Sequence, residues 1–220
     1  MGVTPGNKGR FPGFDVLGQA RHWDQETAAV VQTRLEAPPA LVFFSEGEQR
    51  TARALLDRLL ANEVEPRLPL LEAVDARLQA GQTDGWHHDH LPPDGETWRL
   101  SLAALDDHCR RSCGSAFAEL GRTDQIGILD AIRTAEKLGE LSAAAVWSLW
   151  LRYGCAAFYS HPWAWNEIGF GGPSYPRGYR NIGLGRREPW EVREVDAVDP
   201  EPWANRVEAA RRRQFGKRYR

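Results

Sequence analysis

The feature that most constrains the fold of this 220-residue chain is one long apolar stretch at residues 143–159. It is apolar on nearly all sides, contains Arg152 and Gly154, and is short for a membrane span. A helix without a polar face belongs in the centre of a protein, because every side of it must be covered. We therefore expect a buried central helix over 143–160, capped by Ser142.

The other periodic segments also indicate helices. Ser45 and Glu48 fit a capping box in front of a Leu-rich helix at about 45–62. Further helices are expected at 24–35 with Asp24 as cap, at 70–80 before Gly81, from Asp94 as cap towards Cys113 before Gly114, and from Thr123 as cap. No strand-like alternation is present. The sequence predicts an all-α fold: an irregular bundle of five or six helices with a long N-terminal arm and a long C-terminal loop rich in aromatic residues, Gly and Pro.

This pattern predicts a single domain with arms, which the chain length permits. Residues 1–40 form an extended arm with a short helix, 41–160 the helical core, and 161–220 a partner-docking loop and basic tail. A last helix is expected at 201–214. The net charge of −2 gives no reason to expect a nucleic-acid partner, and the basic end is interpreted as solvated or facing a partner protein.

Two clusters resemble metal or redox sites. His87, His88 and His90, with Asp89 among them, could ligate a metal ion, although neighbouring residues rarely point at one ion, and a solvated loop is the favoured interpretation. Cys109 and Cys113 share a helix face but are too few for an iron–sulfur cluster, and Cys155 lies in the apolar helix. No motif or spacing selects catalytic residues, so we expect no catalytic site in this chain.

The run Gly169 to Pro173 invites interpretation as a nucleotide-binding loop. No strand precedes it, and Pro173 and Pro176 prevent the helix whose N-terminus would bind a phosphate. We therefore expect no cofactor bound by this chain.

The segment that follows the central helix keeps many aromatic residues where helical periodicity ends. A solvated loop gains nothing from such residues, whereas buried or docked aromatic rings do. The expected contacts with a partner protein are Trp163, Trp165, Asn166, Phe170, Tyr175 and Arg177.

Several motifs resemble those of a known family. The string HPWAWNEIGFGGPSYPRGY at 161–179 looks like the C-terminal hallmark of the gluconate 2-dehydrogenase subunit 3 family. The pattern Phe43-Phe44-Ser45-x-x-Glu48, the later runs at 101–106 and 117–120, and the pair Asp124-Gln125 follow the family's order. The resemblance covers about residues 40–180.

The resemblance implies a non-catalytic small subunit that binds and stabilises a large FAD-bearing dehydrogenase subunit of the glucose–methanol–choline type, which oxidises sugars or glycosides. FAD is then expected in the partner, and a cytochrome c or another acceptor takes the electrons. Alternatives that remain open are an assembly or export chaperone of that flavoprotein, and an independent metal-binding protein that uses His87–His90. Since the sequence begins with no export signal, a cytoplasmic location is expected, or a periplasmic one if the partner carries the chain out.

Overall fold

A computed structural model describes residues 11, 14–63, 67–86, 88–181, 183 and 186–191. The chain divides into two compact units. One contains the N-terminal segment up to Val31 together with the segment from Pro162 onward, and the other is Gln32–His161. The first unit therefore combines most of the predicted N-terminal arm with the predicted C-terminal loop, and residues 32–40 of that arm belong to the second unit.

Helices dominate the described residues, as the sequence predicts. The α-helices are α1 Gln25–Thr33, α2 Glu46–Leu59, α3 Leu70–Gln79, α4 Asp94–Cys113, α5 Arg122–Thr134, α6 Ala143–Ser160 and α7 Pro162–Ile168, with 3₁₀ helices at Val16–His22 and Phe117–Glu119. The described strands, β1 Lys137–Leu138 and β2 Leu141–Ser142, pair antiparallel across a turn at Gly139. Strands of two residues are too short for alternation to reveal them, and the all-α prediction is confirmed.

The apolar stretch forms α6, which packs against α2, α3, α4 and α5 in the second unit. Trp150 and Tyr153 are buried on this helix, and the indole Nε1–H of Trp150 donates to Ser101 Oγ at 3.0 Å. Gly154 allows α2 to approach, because a Cβ there would lie 3.1 Å from Leu60 and 3.2 Å from Leu56. The prediction of a central buried helix is confirmed, and none of the described helices has the length and apolarity to cross a membrane.

Three of the predicted helix caps are confirmed. Ser45 and Glu48 form the capping box: the Ser45 N–H donates to Glu48 Oε2 at 2.8 Å, and the Glu48 N–H donates to Ser45 Oγ at 3.5 Å. Ser142 accepts from the Ala145 N–H at the start of α6. Asp24 accepts from the Thr27 N–H at 2.7 Å, and hydrogen bonds with the Thr27 side chain and backbone lower the pKa of its carboxyl.

Two predicted caps are wrong. Asp94 is the first residue of α4, and its carboxylate accepts instead from the Tyr153 hydroxyl at 2.8 Å and from Arg152 at 2.9 Å. The Asp94 carboxylate therefore bonds to Arg152 and Tyr153 and does not cap the N-terminus of the helix. In α5, Gly121 precedes the first residue, and Thr123 lies inside the helix.

A buried carboxylate joins the entry of α2 to α3. Asp75, which is 1% exposed, accepts hydrogen bonds of 2.8–3.1 Å from the backbone N–H groups of Val42, Phe43 and Phe44. These donors satisfy the charge that burial removes from water. Asp75 therefore fixes the chain directly before the capping box.

The segment after His161 differs from its prediction as a loop, because Pro162–Ile168 forms α7. Proline is favoured at a first helical position, since its fixed φ suits the helix and its missing N–H is not needed there. A helix of seven residues is too short to show periodicity, so the sequence pattern hid it. The helix predicted at 201–214 lies outside the described residues.

Candidate partner-docking surface

One of the C-terminal aromatic residues belongs to a small core in the first unit. Trp165 of α7 is 5% exposed and clusters with Val16, Trp23 and Val31. The 3₁₀ helix that begins at Val16 packs against α7. The N-terminal arm and the C-terminal segment therefore share one hydrophobic core, although they lie at opposite ends of the sequence.

A side-chain hydrogen bond fixes this packing. Asn166 is 1% exposed, and its Oδ1 accepts from the backbone N–H of Val16 at 2.8 Å. The donor is the first N–H of the 3₁₀ helix, which has no partner within that helix. Asn166 thus supplies the acceptor that the burial of this helix start requires.

The glycines of the run at 169–172 bring the backbone close to aromatic rings. Gly169 has a φ of +68°, and a Cβ there would lie 2.6 Å from the Phe11 ring. Gly172 has a φ of +76°, and a Cβ there would lie 2.5 Å from the Trp23 ring. A side chain at either position meets both a disfavoured backbone conformation and a ring. These glycines therefore serve ring-to-backbone packing, which is a different use from cradling a phosphate.

The side chain of Arg177 stabilises the segment that follows α7. Its guanidinium donates to Gln19 Oε1 at 3.1 Å and to the carbonyl oxygens of Gly171 and Pro173 at 3.2 and 3.0 Å. It also lies over the Trp190 ring at 4.2 Å, an arrangement that adds a cation–π attraction. The segment after α7 is thus an ordered structure in spite of its Gly and Pro content.

The six predicted contact residues have different environments. Phe170 and Tyr175 are exposed, by 39% and 65%, whereas Trp165 and Asn166 are buried within the unit. Trp163 and Arg177 are half-buried. The exposed residues remain available to a partner, and the prediction that all six contact one is untested.

Two further apolar side chains of this segment, which the sequence does not single out, are also exposed. Ile168 is 50% exposed and Tyr179 is 51% exposed. With Phe170 and Tyr175 they define the C-terminal aromatic surface: Ile168, Phe170, Tyr175 and Tyr179. An Ile at the end of a short helix and a Tyr near a loop carry no sequence signal that distinguishes exposed from buried.

The predicted histidine cluster lies partly in the described residues. The rings of His88 and His90 lie 5.4 Å apart, and His90 Nδ1 is 3.1 Å from Asp89. His87 is outside the described residues. Where the chain is described, no three His, Cys, Asp or Glu side chains are grouped to hold a metal ion.

The loop before these histidines is held by an ionic network. Arg152 donates to Asp84 and Asp94, both at 2.9 Å, and its guanidinium lies 4.6 Å from the Trp86 ring centroid. Burial and the bond to Asp94 raise the pKa of Tyr153 well above its ordinary value. The network therefore holds the Trp86 loop against α6, and Tyr153 acts in it as a neutral donor.

The cysteines differ in accessibility. Cys109 is buried, which raises the pKa of its thiol to about 11, and Cys113 is exposed. A thiol with a raised pKa stays protonated near neutral pH, whereas metal ligation and nucleophilic chemistry use the thiolate. Cys109 therefore behaves as a small core residue.

The sequence of this chain matches one known protein family. No curated protein and no solved structure gave a significant match. The model of the family described as gluconate 2-dehydrogenase subunit 3 matches residues 46–172, a range that runs from the start of α2 through the glycines at 169–172. Because this match covers more than half of the sequence, the chain belongs to the gluconate 2-dehydrogenase subunit 3 family.

Proposed function

We propose that this chain is a non-catalytic small subunit that binds and stabilises a larger FAD-dependent dehydrogenase acting on sugars or glycosides. The family is that of a subunit of a gluconate dehydrogenase complex, and a subunit implies a catalytic partner. The observation that carries the proposal is the C-terminal aromatic surface. It presents four large apolar side chains on a segment ordered by a core of its own.

Rigid, exposed aromatic residues suit protein interfaces. They bury large areas on binding and lose little conformational entropy, because the segment that carries them is already fixed. In the first unit, the Asn166 hydrogen bond and the Arg177 contacts supply this fixation. Tyr175 and Tyr179 also offer a hydroxyl that remains useful at the polar rim of an interface.

The proposal assigns FAD and the oxidation chemistry to the partner. The residues of this chain that most resemble a flavin-phosphate loop, at 169–172, do not fit that role, because Phe11, Trp23 and Trp190 lie against their backbone. The electron acceptor, whether a cytochrome c or another carrier, is likewise expected to act on the partner. The location of the chain then follows that of the partner, cytoplasmic or periplasmic.

Affinity purification from the cells that express the chain tests this proposal. A tagged chain is purified, its companions are identified by mass spectrometry, and the eluate is assayed for flavin absorbance and for sugar-dependent reduction of a dye. We expect one larger flavin-bearing polypeptide in a fixed ratio to the chain, together with the dehydrogenase activity.

Two results would contradict the proposal. One is a chain that purifies alone while the flavoprotein is fully active and stable without it. The other is a chain found only with flavin-free dehydrogenase and absent from the active complex, which would identify an assembly factor.

A further inference from the structure

A second feature of the first unit is a cavity of about 560 Å³, a volume typical of small-molecule sites. The lining residues that matter here are Gln19, Arg21, Arg177, Arg180, Glu188 and Trp190. They come from the 3₁₀ helix at Val16–His22 and from the segment after Pro176. The cavity is therefore built from both ends of the sequence, as the core of this unit is.

The described lining of the cavity has an excess of positive charge. Three guanidinium groups, those of Arg21, Arg177 and Arg180, stand against the single carboxylate of Glu188. That carboxylate is 3% exposed and accepts hydrogen bonds from the backbone N–H groups of Arg180 and Asn181. These backbone donors stabilise its negative charge, and the Glu191 carboxylate accepts from the Glu188 N–H. The described lining still has more cationic than anionic side chains, an arrangement that attracts anions in a concave site.

Arg177 is the best-fixed cation of the three. The hydrogen bonds given above join its guanidinium to one amide and two carbonyl oxygens, all of them neutral, and its planar face lies on Trp190. Partial burial lowers its pKa, as expected for a cation removed from water. Such a cation is stabilised when an anion approaches it, and guanidinium groups bind carboxylate and phosphate oxygens with matched geometry.

We propose that this cavity binds a small organic oxyanion, a carboxylate or phosphate ester, beside Arg21, Arg177 and Arg180. The neutral part of the molecule lies against the indole of Trp190. The chemistry is that of a free metabolite-sized anion, and the proposal rests on the cavity rather than on the docking function proposed above.

Calorimetric titration of the full purified chain at low ionic strength tests the proposal. The probes are citrate as a carboxylate, glycerol 3-phosphate as a phosphate ester, inorganic phosphate, and glycerol as the neutral control. We expect saturable binding of citrate or glycerol 3-phosphate, weaker binding of inorganic phosphate, and none of glycerol. The organic probe that binds more tightly shows whether the site prefers a carboxylate or a phosphate ester.

The variants Arg21→Gln and Arg180→Gln test the location, because both side chains are exposed and their loss spares the contacts of Arg177. Each is expected to weaken binding about tenfold, the usual effect of losing one charged hydrogen bond. Arg50→Gln, on α2 in the other unit, changes the net charge equally and should leave the affinity unchanged. The proposal is overturned if neither organic probe binds, or if all three variants weaken binding to the same extent.

Discussion

At the scale of single residues, Gly172 shows how backbone conformation and packing combine. Its φ of +76° disfavours any side chain, and the Trp23 ring occupies the position of a Cβ. Gly178 is a matched control, with a φ of +66° and open space around its Cβ position. We expect Gly178→Ala to reduce the free energy of unfolding by about 1 kcal/mol, from backbone strain alone.

Gly172→Ala should cost at least about 2 kcal/mol more than that control, because Trp23 must also move. Chemical denaturation followed by circular dichroism compares the two variants. Equal losses of stability would show that Trp23 does not pack on this backbone.

Asp75 offers a second test at this scale. Asp75→Asn keeps the size of the side chain but turns one acceptor into a donor that faces the backbone N–H groups of 42–44. We expect a loss of about 2–4 kcal/mol in the free energy of unfolding. Asp130→Asn, at an exposed position of α5, should change it by less than about 0.5 kcal/mol. A similar small effect at both positions in denaturant titrations would refute this role of Asp75.

At the scale of elements, the C-terminal end of α6 carries a pH-sensitive residue. Burial, with the nearby Arg34 charge, lowers the pKa of His161 from 6.5 to about 4. As the pH falls, the unfolded chain therefore binds a proton at His161 at a higher pH than the folded chain does. The contribution of neutral His161 to the free energy of unfolding is fully present above pH 6.5. This contribution, about 2 to 3 kcal/mol, is lost as the pH falls towards 4.

The comparison of wild type with His161→Gln isolates this effect, because glutamine does not titrate. We expect the free energy of unfolding of the wild type to fall more steeply than that of the variant between pH 6.5 and 4. His108→Gln, the same substitution at a histidine that is not buried, is the matched control for the exchange of histidine for glutamine. Identical slopes for wild type and His161→Gln would show that His161 is accessible to protons in the folded state.

The elements also show which parts of the fold are predictable. Helices with local signals were found from the sequence, because the capping box at Ser45 and Glu48 and the apolar run of α6 depend on neighbours in the chain. The cap predicted at Asp94 failed because Arg152 and Tyr153, distant in sequence, bind its carboxylate. A local pattern carries no information about such tertiary partners.

At the scale of the whole molecule, the sequence indicated the candidate docking region but not which of its side chains are buried and which are exposed. It selected the aromatic composition of 161–179, yet it did not separate Trp165, which lies in a core with Val16 and Trp23, from the exposed Tyr175. That separation depends on the association of the N-terminal segment with the C-terminal one. For the same reason the basic cavity had no sequence signal, since Arg21 and Arg177 meet only in the folded chain.

The affinity of the purified pair tests most directly whether the C-terminal aromatic surface binds a flavoprotein dehydrogenase. The double variant Ile168→Ser/Tyr175→Ser removes two exposed apolar side chains of this surface. The matched control, Ile126→Ser/Tyr159→Ser, removes the same residue types at similarly exposed positions of the other unit.

We predict that the double variant on the surface raises the dissociation constant at least about 30-fold, since each anchor contributes about 1 kcal/mol or more. The control pair should remain within about threefold of the wild type. Equal affinities for wild type and the Ile168→Ser/Tyr175→Ser variant would show that this surface does not bind the dehydrogenase.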